Sequence, residues 1–212
     1  SIFDTFGLNI ECEKGGKYRY YIENCEDINN GSIESWLFNT YSVSNSLIES
    51  KSIKERILLE DVPSGREYLD PIIGAMKENR FIHITHYNYW RGDTRNYYVM
   101  PLCVKLFKQR WYLVGRMWPS NNDIIFSLDR MCDFRLSSHT FEYPNDFNPK
   151  EFFEGCIGVI VGVDCNIETI KLKVNKAQAN YFRDLPLHDS QQEIEHSEEY
   201  SIFQYKLRPT YD

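Results

Sequence analysis

The sequence predicts an α+β fold: a small β-barrel or strongly curved antiparallel sheet with flanking helices, followed by a split β-α-β unit. Three observations predict it. From Phe81 onward, four runs rich in β-branched and aromatic residues (Phe81–Tyr89, Tyr97–Phe107, Arg110–Trp118 and Ile124–Arg130) follow one another across short turns, without room for helical crossovers. Before residue 80 two stretches carry helical spacing. After Gly155 the order is strand, helix, strand, strand.

Taken in order, Leu8, Ile10 and Cys12 alternate with Asn9, Glu11 and Glu13, which is strand-like. Gly15-Gly16 offers a tight turn and Tyr18–Ile22 returns, so residues 8–22 read as a β-hairpin. A helix is expected from Ser32 to Ile48, with Ile33, Trp36, Leu37, Tyr41 and Leu47 on an apolar stripe. Lys54–Leu59 reads as a short strand. Ser64-Gly65 opens a second helix to Asn79, with Pro71 in its first turn and Asp70 as cap. The four strand runs follow. Residues 141–155 hold two of the eight prolines and read as a linker. Thr169–Val174 alternates, Asn175 is placed to cap a helix, and Gln192–His196 and Tyr200–Arg208 read as two more strands. A β-α-β-β unit without a second helix reads as incomplete, so the sequence is expected to be cut there or to end in a disordered tail.

The 212 residues carry 24 Lys+Arg against 31 Asp+Glu, a net charge of −7. An evenly acidic protein would repel nucleic acid and anionic membranes. The charge is not even: residues 1–80 are −5, residues 81–118 are +5, residues 119–140 are −1 and residues 141–212 are −6. The basic island also carries ten aromatic residues. No apolar run reaches the ~18 residues of a membrane span, and the start lacks a basic, apolar leader. The six cysteines have irregular spacing and no Cys-x-x-Cys, which fits free thiols in a reducing, cytoplasmic setting.

Several chemistries find no support. His83 and His86 are three apart, so a strand puts them on opposite faces, and the other histidines are scattered; no metal site and no cofactor is expected. The glycines of 155–162 lack both G-x-G-x-x-G spacing and a P-loop lysine, and read as strand or bend residues. There is no nucleophile motif, so no enzyme is expected. The basic island is different. Alternation puts Trp111, Leu113 and Gly115 on a core face and Arg110, Tyr112, Val114 and Arg116 on the other. Arg130 falls in phase with Ile124, Phe126 and Leu128 at a core edge, where it needs an anionic partner: a carboxylate such as Asp129, or a ligand. Arginine forks suit phosphate and aromatic faces suit bases, as in a nucleic-acid or nucleotide site. The alternative is a surface strand whose arginines pair with the acidic flanks.

Pro101–Arg116, containing Trp111-Tyr112-Leu113, followed by Phe126–Met131 with Leu128-Asp129-Arg130-Met131, strongly resembles the WYL domain: its eponymous triplet and its Leu-Asp-Arg-Ile segment at the family's spacing. Thr5–Cys12 with Tyr18–Ile22 resembles the wing of a winged helix-turn-helix. Ile170–Val174, Tyr181-Phe182 and Pro186–Gln191 resemble the C-terminal extension that follows such domains. The resemblance starts at the wing, after the family's DNA-reading helices, so the sequence is expected either to be cut there or not to grip DNA itself. The resemblance implies a wing hairpin at 1–27, a helical linker region at 28–80, an Sm-like, SH3-type WYL barrel at 81–140 and the extension at 155–212. It further implies a bacterial transcriptional regulator that senses a single-stranded nucleic-acid or nucleotide ligand and binds operator DNA as a homodimer, away from membranes. Carried over by position, the ligand residues are Tyr112, Arg116 and Arg130, with Tyr87 and Lys105 beside them. Asp129 is expected to orient an arginine. Lys14, Lys17 and Arg19 are expected at operator phosphates, against a solvated hairpin tip as the alternative. The expected mechanism is allosteric: an anion bridges Arg116 and Arg130, stacks on Tyr112 and favours one arrangement of the dimer. A protein-interaction module built on the aromatic island is the second reading.

Overall fold

The computed structural model describes residues 10–13, 19–22, 33–49, 56–58, 63, 65–162 and 165–210. The chain divides into two compact units, Ser1–Asp61 and Val62–Asp212.

In the first unit β1 (Ile10–Glu13) pairs antiparallel with β2 (Arg19–Ile22), Ile10 opposite Ile22. This is the expected hairpin. Its turn, with Lys14 and Lys17, lies outside the described residues; Arg19 is on β2, its side chain outside the description. Helix α1 (Ile33–Glu49) matches the expected span, but Ile33, Trp36, Leu37 and Tyr41 of its stripe are exposed. Of the expected Lys54–Leu59 strand, Arg56–Leu58 are described and join no sheet.

The second unit opens on a 3-10 turn (Arg66–Tyr68) that runs into α2 (Leu69–Lys77). Pro71 sits in the first turn as expected, but Asp70 is not the cap. Gly65, at φ 62°, starts the 3-10 turn, so the chain already has helical dihedrals at Tyr68, the residue before the helix. Five antiparallel strands follow: β3 (Arg80–Asn88), β4 (Asp93–Phe107), β5 (Arg110–Met117), β6 (Asp123–Ser127) and β7 (Met131–Thr140), in the order β6-β5-β4-β3-β7.

Two expectations change here. The sheet is open: β6 and β7 are its edges and do not pair, so the expected closed barrel is not formed. The fourth run also ends at Ser127. Leu128–Arg130 form a 3-10 turn, and Met131–Thr140 is a strand the alternation does not reveal, because bulges opposite Thr85/His86 and Arg80/Ile82 break its period of two.

One face of the sheet is sealed by α2. Ile72 and Ala75 meet Ile82, Ile84, Val99, Leu113 and Phe126 there. Part of the other face is covered by the 141–155 segment. Phe147 packs on Leu102 and Val114, with Phe141, Phe152 and Phe153 around them. That segment, expected as a linker, is thus a structural layer with its own short helix α3 (Pro149–Phe152). Leu102 reaches this layer because a bulge between Pro101 and Cys103 shifts the strand phase. Val99 and Val104 consequently both contact the α2-side core. A bulge also tolerates a proline without an N–H.

A three-stranded sheet completes the unit: β8 (Glu168–Asn175), β9 (Gln192–His196) and β10 (Tyr200–Leu207), with α4 (Lys176–Asp184) between β8 and β9. Its order is β8-β10-β9, all antiparallel neighbours, so β8 and β9 run the same way on either side of β10. Asn175 caps α4, accepting from the Gln178 N–H at 2.9 Å. Ala179 and Phe182 of α4 pack on Phe203, Tyr205 and Leu207.

Candidate anion-binding site

The site is built where β6 ends. Leu128, fully buried, plugs the core and anchors the 3-10 turn. Gly65 lies against that turn so closely that a Cβ on it would be 2.1 Å from the Leu128 carbonyl carbon and 2.3 Å from the Asp129 nitrogen. Backbone contact therefore fixes Asp129 and Arg130. The strand phase expected for Arg130 is replaced by this turn, but the arginine still stands at the edge of the core.

Asp129, 6% exposed, receives the Arg110 guanidinium: Nε donates to Oδ1 at 3.3 Å and Nη2 to Oδ2. It orients an arginine, as expected. Arg130 Nε donates to Ser127 Oγ at 2.6 Å, and its guanidinium carbon lies 4.9 Å from the centre of the Tyr89 ring. Tyr87 meets Tyr89 edge to face at 5.7 Å. Tyr112 stands opposite Ser127 on one side and Lys105 on the other, in one lateral row of the sheet. Beneath them His86 is buried, its Nε2 3.1 Å from the Ser127 carbonyl oxygen. Burial, and then the Arg130 charge, hold its pKa below the ordinary value. His83 is exposed, so the two histidines do face opposite ways.

Arg130 and Tyr87 both meet Tyr89, and Tyr112 stands in register with Ser127, whose Oγ holds Arg130. Arg116 does not join them. Arg116 lies four residues along β5 from Tyr112, ~13 Å at strand rise. Its Nε and Nη2 donate to Asp123 at 2.7 and 3.1 Å, and its Nη1 to Asp146 at 2.7 Å. The side chain is 12% exposed, and the hydrogen bond to Asp123 foremost raises its already high pKa. Arg116 clasps β5, β6 and the 141–148 segment together, and the expected ligand bridge from Arg116 to Arg130 does not fit this geometry. Lys105 is also engaged: Nζ donates to the Gly158 carbonyl oxygen at 2.7 Å and lies 3.9 Å from the Phe153 ring centre.

Carboxylates pair with part of the basic island, Arg95 with Asp93 inside it, Arg110 with Asp129, and Arg116 with Asp123 and Asp146, of which Asp146 alone comes from an acidic flank. Arg130 makes no ion pair among the described residues. Sequence reasoning also passed over Tyr89 and Trp90. Trp90 is 98% exposed at the β3–β4 turn, where Asn88 Oδ1 accepts from the Trp90 and Arg91 N–H groups at 2.9 and 3.1 Å. The signal available was an Asn two residues before an aromatic-Arg-Gly turn. Among the described residues no group of three metal-ligating side chains converges, the five cysteines are free, and no helix is long and apolar enough to cross a membrane.

Residues 67–136 match the family model of the WYL domain. Among solved structures the chain is similar to proteasome accessory factor B/C (PafBC) of Arthrobacter aurescens, at 18% identity and a TM-score of 0.45, over 97% of this chain and 33% of that one. The chain thus spans about a third of that protein's length. No curated protein matches it.

Proposed function

We propose, from the match of residues 67–136 to the WYL-domain family model, that this chain is the ligand-sensing part of a WYL-family transcriptional regulator. The ligand is a single-stranded nucleic acid or nucleotide, held at the β6 end of the five-stranded sheet. One observation carries the reading. Arg130 is fixed by Ser127 Oγ and stacked over Tyr89, while its arginine neighbours are matched by carboxylates. An orientated guanidinium next to Tyr87, Tyr89 and Tyr112 has one charge to offer a phosphate and ring faces to offer bases. Trp90 and Arg91 extend the same chemistry at the hairpin tip. Lys105 adjoins Tyr112 across the strand pair but is held by Gly158 and Phe153 and turned away from this ligand. Arg116 contributes to the fold of the site rather than to the ligand.

In the full regulator, a homodimer in the cytoplasm, ligand binding favours one arrangement of the two copies and so sets the spacing of their operator-binding parts. The N-terminal hairpin is then the wing, with Lys14, Lys17 and Arg19 at operator phosphates. The test is a titration with a fluorescent eight-nucleotide oligodeoxythymidine across a salt series. Affinity falls with salt, and Arg130→Ala makes the log–log slope shallower by about 0.7, the value of one single-strand phosphate contact. A slope unchanged by Arg130→Ala refutes the assignment. The exposure of Tyr89, Trp90 and Trp118 favours a second reading, a protein-docking surface. Trp90→Ala would then abolish self-association and leave oligonucleotide affinity untouched.

A further inference from the structure

A second cleft lies between the five-stranded sheet and the three-stranded sheet, lined by neither Arg130 nor Tyr112, with a volume of about 790 Å³. That lies within the roughly 300–1,000 Å³ range of small-molecule sites. Its cations come from three elements: Lys105 on β4, Lys150 on α3 and Lys206 on β10. The side chains of Lys150 and Lys206 make no hydrogen bond or ion pair among the described residues.

The cleft is held in shape. Ser190 Oγ accepts from the Lys206 N–H at 2.9 Å, which fixes the 187–190 loop on β10. The Arg208 N–H donates to the Gly155 carbonyl oxygen at 2.8 Å, stitching the end of β10 to the segment after α3. Gly155 has φ 71°, and a Cβ on it would press on Ile167 and Arg208 at 3.2–3.4 Å, so the seam is tight. Arg208 Nε, buried at this seam, has no acceptor among the described residues. Ile157, Ile167 and Leu187, each about 40–50% exposed, form an apolar wall. Glu154 and Asp189 also line the cleft, and their carboxylates have no hydrogen-bond partner among the described residues.

We infer that this cleft binds a small phosphomonoester with a flat or apolar body. Lys150 and Lys206 take the phosphate, Ile157, Ile167 and Leu187 the body, and Glu154 and Asp189 accept from its hydroxyl or amino groups. Ammonium groups from separate elements match a compact polyanion, whereas a neutral ligand would leave them unpaired. The carboxylates suit donors on the ligand and disfavour a bare anion. Because the cleft spans the seam between the two sheets, an occupant ties them together.

Calorimetric titration of the 212-residue chain tests this with adenosine 5′-monophosphate, adenosine and inorganic phosphate as probes. The monophosphate is expected to bind at least about tenfold more tightly than either fragment. Lys150→Glu combined with Lys206→Glu is expected to weaken it by at least about tenfold. Both positions are exposed, and an unchanged thermal midpoint confirms that the variant is folded. Equal binding of adenosine, or monophosphate affinity unchanged in the double variant, overturns the inference. So does affinity lost in Arg130→Ala and kept in the double variant, which assigns the heat to the β6-end site. Failure of oligonucleotide binding at Arg130 leaves this result unaffected, so the two assignments fail separately.

Discussion

Gly65 decides where Arg130 points. Its φ of 62° disfavours any L side chain, and a Cβ would overlap the Leu128–Asp129 peptide, which has nowhere to go against a buried Leu128. Gly65→Ala is therefore expected to cost at least about 2 kcal/mol and lower the thermal midpoint by roughly 5 °C. A midpoint within 1 °C of wild type, by about the precision of such scans, contradicts the account of the turn. Arg116 and Arg130, alike in the sequence, separate at this scale. Arg116→Ala strips partners from Asp123 and Asp146 and should destabilise by about 1–3 kcal/mol in urea unfolding. Arg130→Ala removes one hydroxyl contact and one ring contact and should leave stability nearly unchanged.

His86 adds a pH dependence. Its pKa is lowered in the folded state, by burial and then by Arg130, with Asp129 and the Ser127 carbonyl opposing. Arg95 stands across the strand pair from it, bonded to Asp93, and Phe126 lies edge-on to its ring. The unfolded chain thus takes up a proton at a higher pH than the folded one. The corresponding stability is complete above pH 6.5 and is lost as pH falls below that value toward the lowered folded pKa. His86→Gln should flatten the fall in urea midpoint between pH 7.5 and 5.5 relative to wild type.

At the scale of elements, the strands were readable wherever period-two patterning was unbroken. β3, β4, β5, β8, β9 and β10 fall within a few residues of their expected bounds. β7 was not, because bulges opposite Thr85/His86 and Arg80/Ile82 interrupt its alternation. The end of β6 at Ser127 was hidden for a different reason. A 3-10 turn keeps Leu128 in the core, so the apolar pattern continues although the strand has stopped. The 141–155 segment looked like a linker by its prolines, while its four phenylalanines were serving a second core layer. Local capping was legible: Asn175 holds the Gln178 N–H as its spacing predicted. Asn175→Ala should cost about 1 kcal/mol and loosen α4, visible as faster amide exchange in its first turn.

At the scale of the molecule, the three hydrophobic clusters among the described residues lie within Val62–Asp212. A chain of residues 62–212 is expected to fold by itself in one cooperative transition; a molten, non-cooperative melt would contradict that division. The basic island was visible in segment charges, but which of its cations remain available was not. Sequence order cannot show that Asp146, thirty residues on, returns to Arg116, or that Tyr89 comes under Arg130. The central claim is that Arg130, not Arg116, holds the anionic ligand. Its most direct test is the affinity of the eight-nucleotide oligodeoxythymidine for wild type, Arg130→Ala and Arg116→Ala at one low salt concentration, with each variant checked for folding. The account predicts a loss of at least about tenfold for Arg130→Ala and less than about threefold for folded Arg116→Ala. The reverse order, or equal affinity in all three, would contradict it.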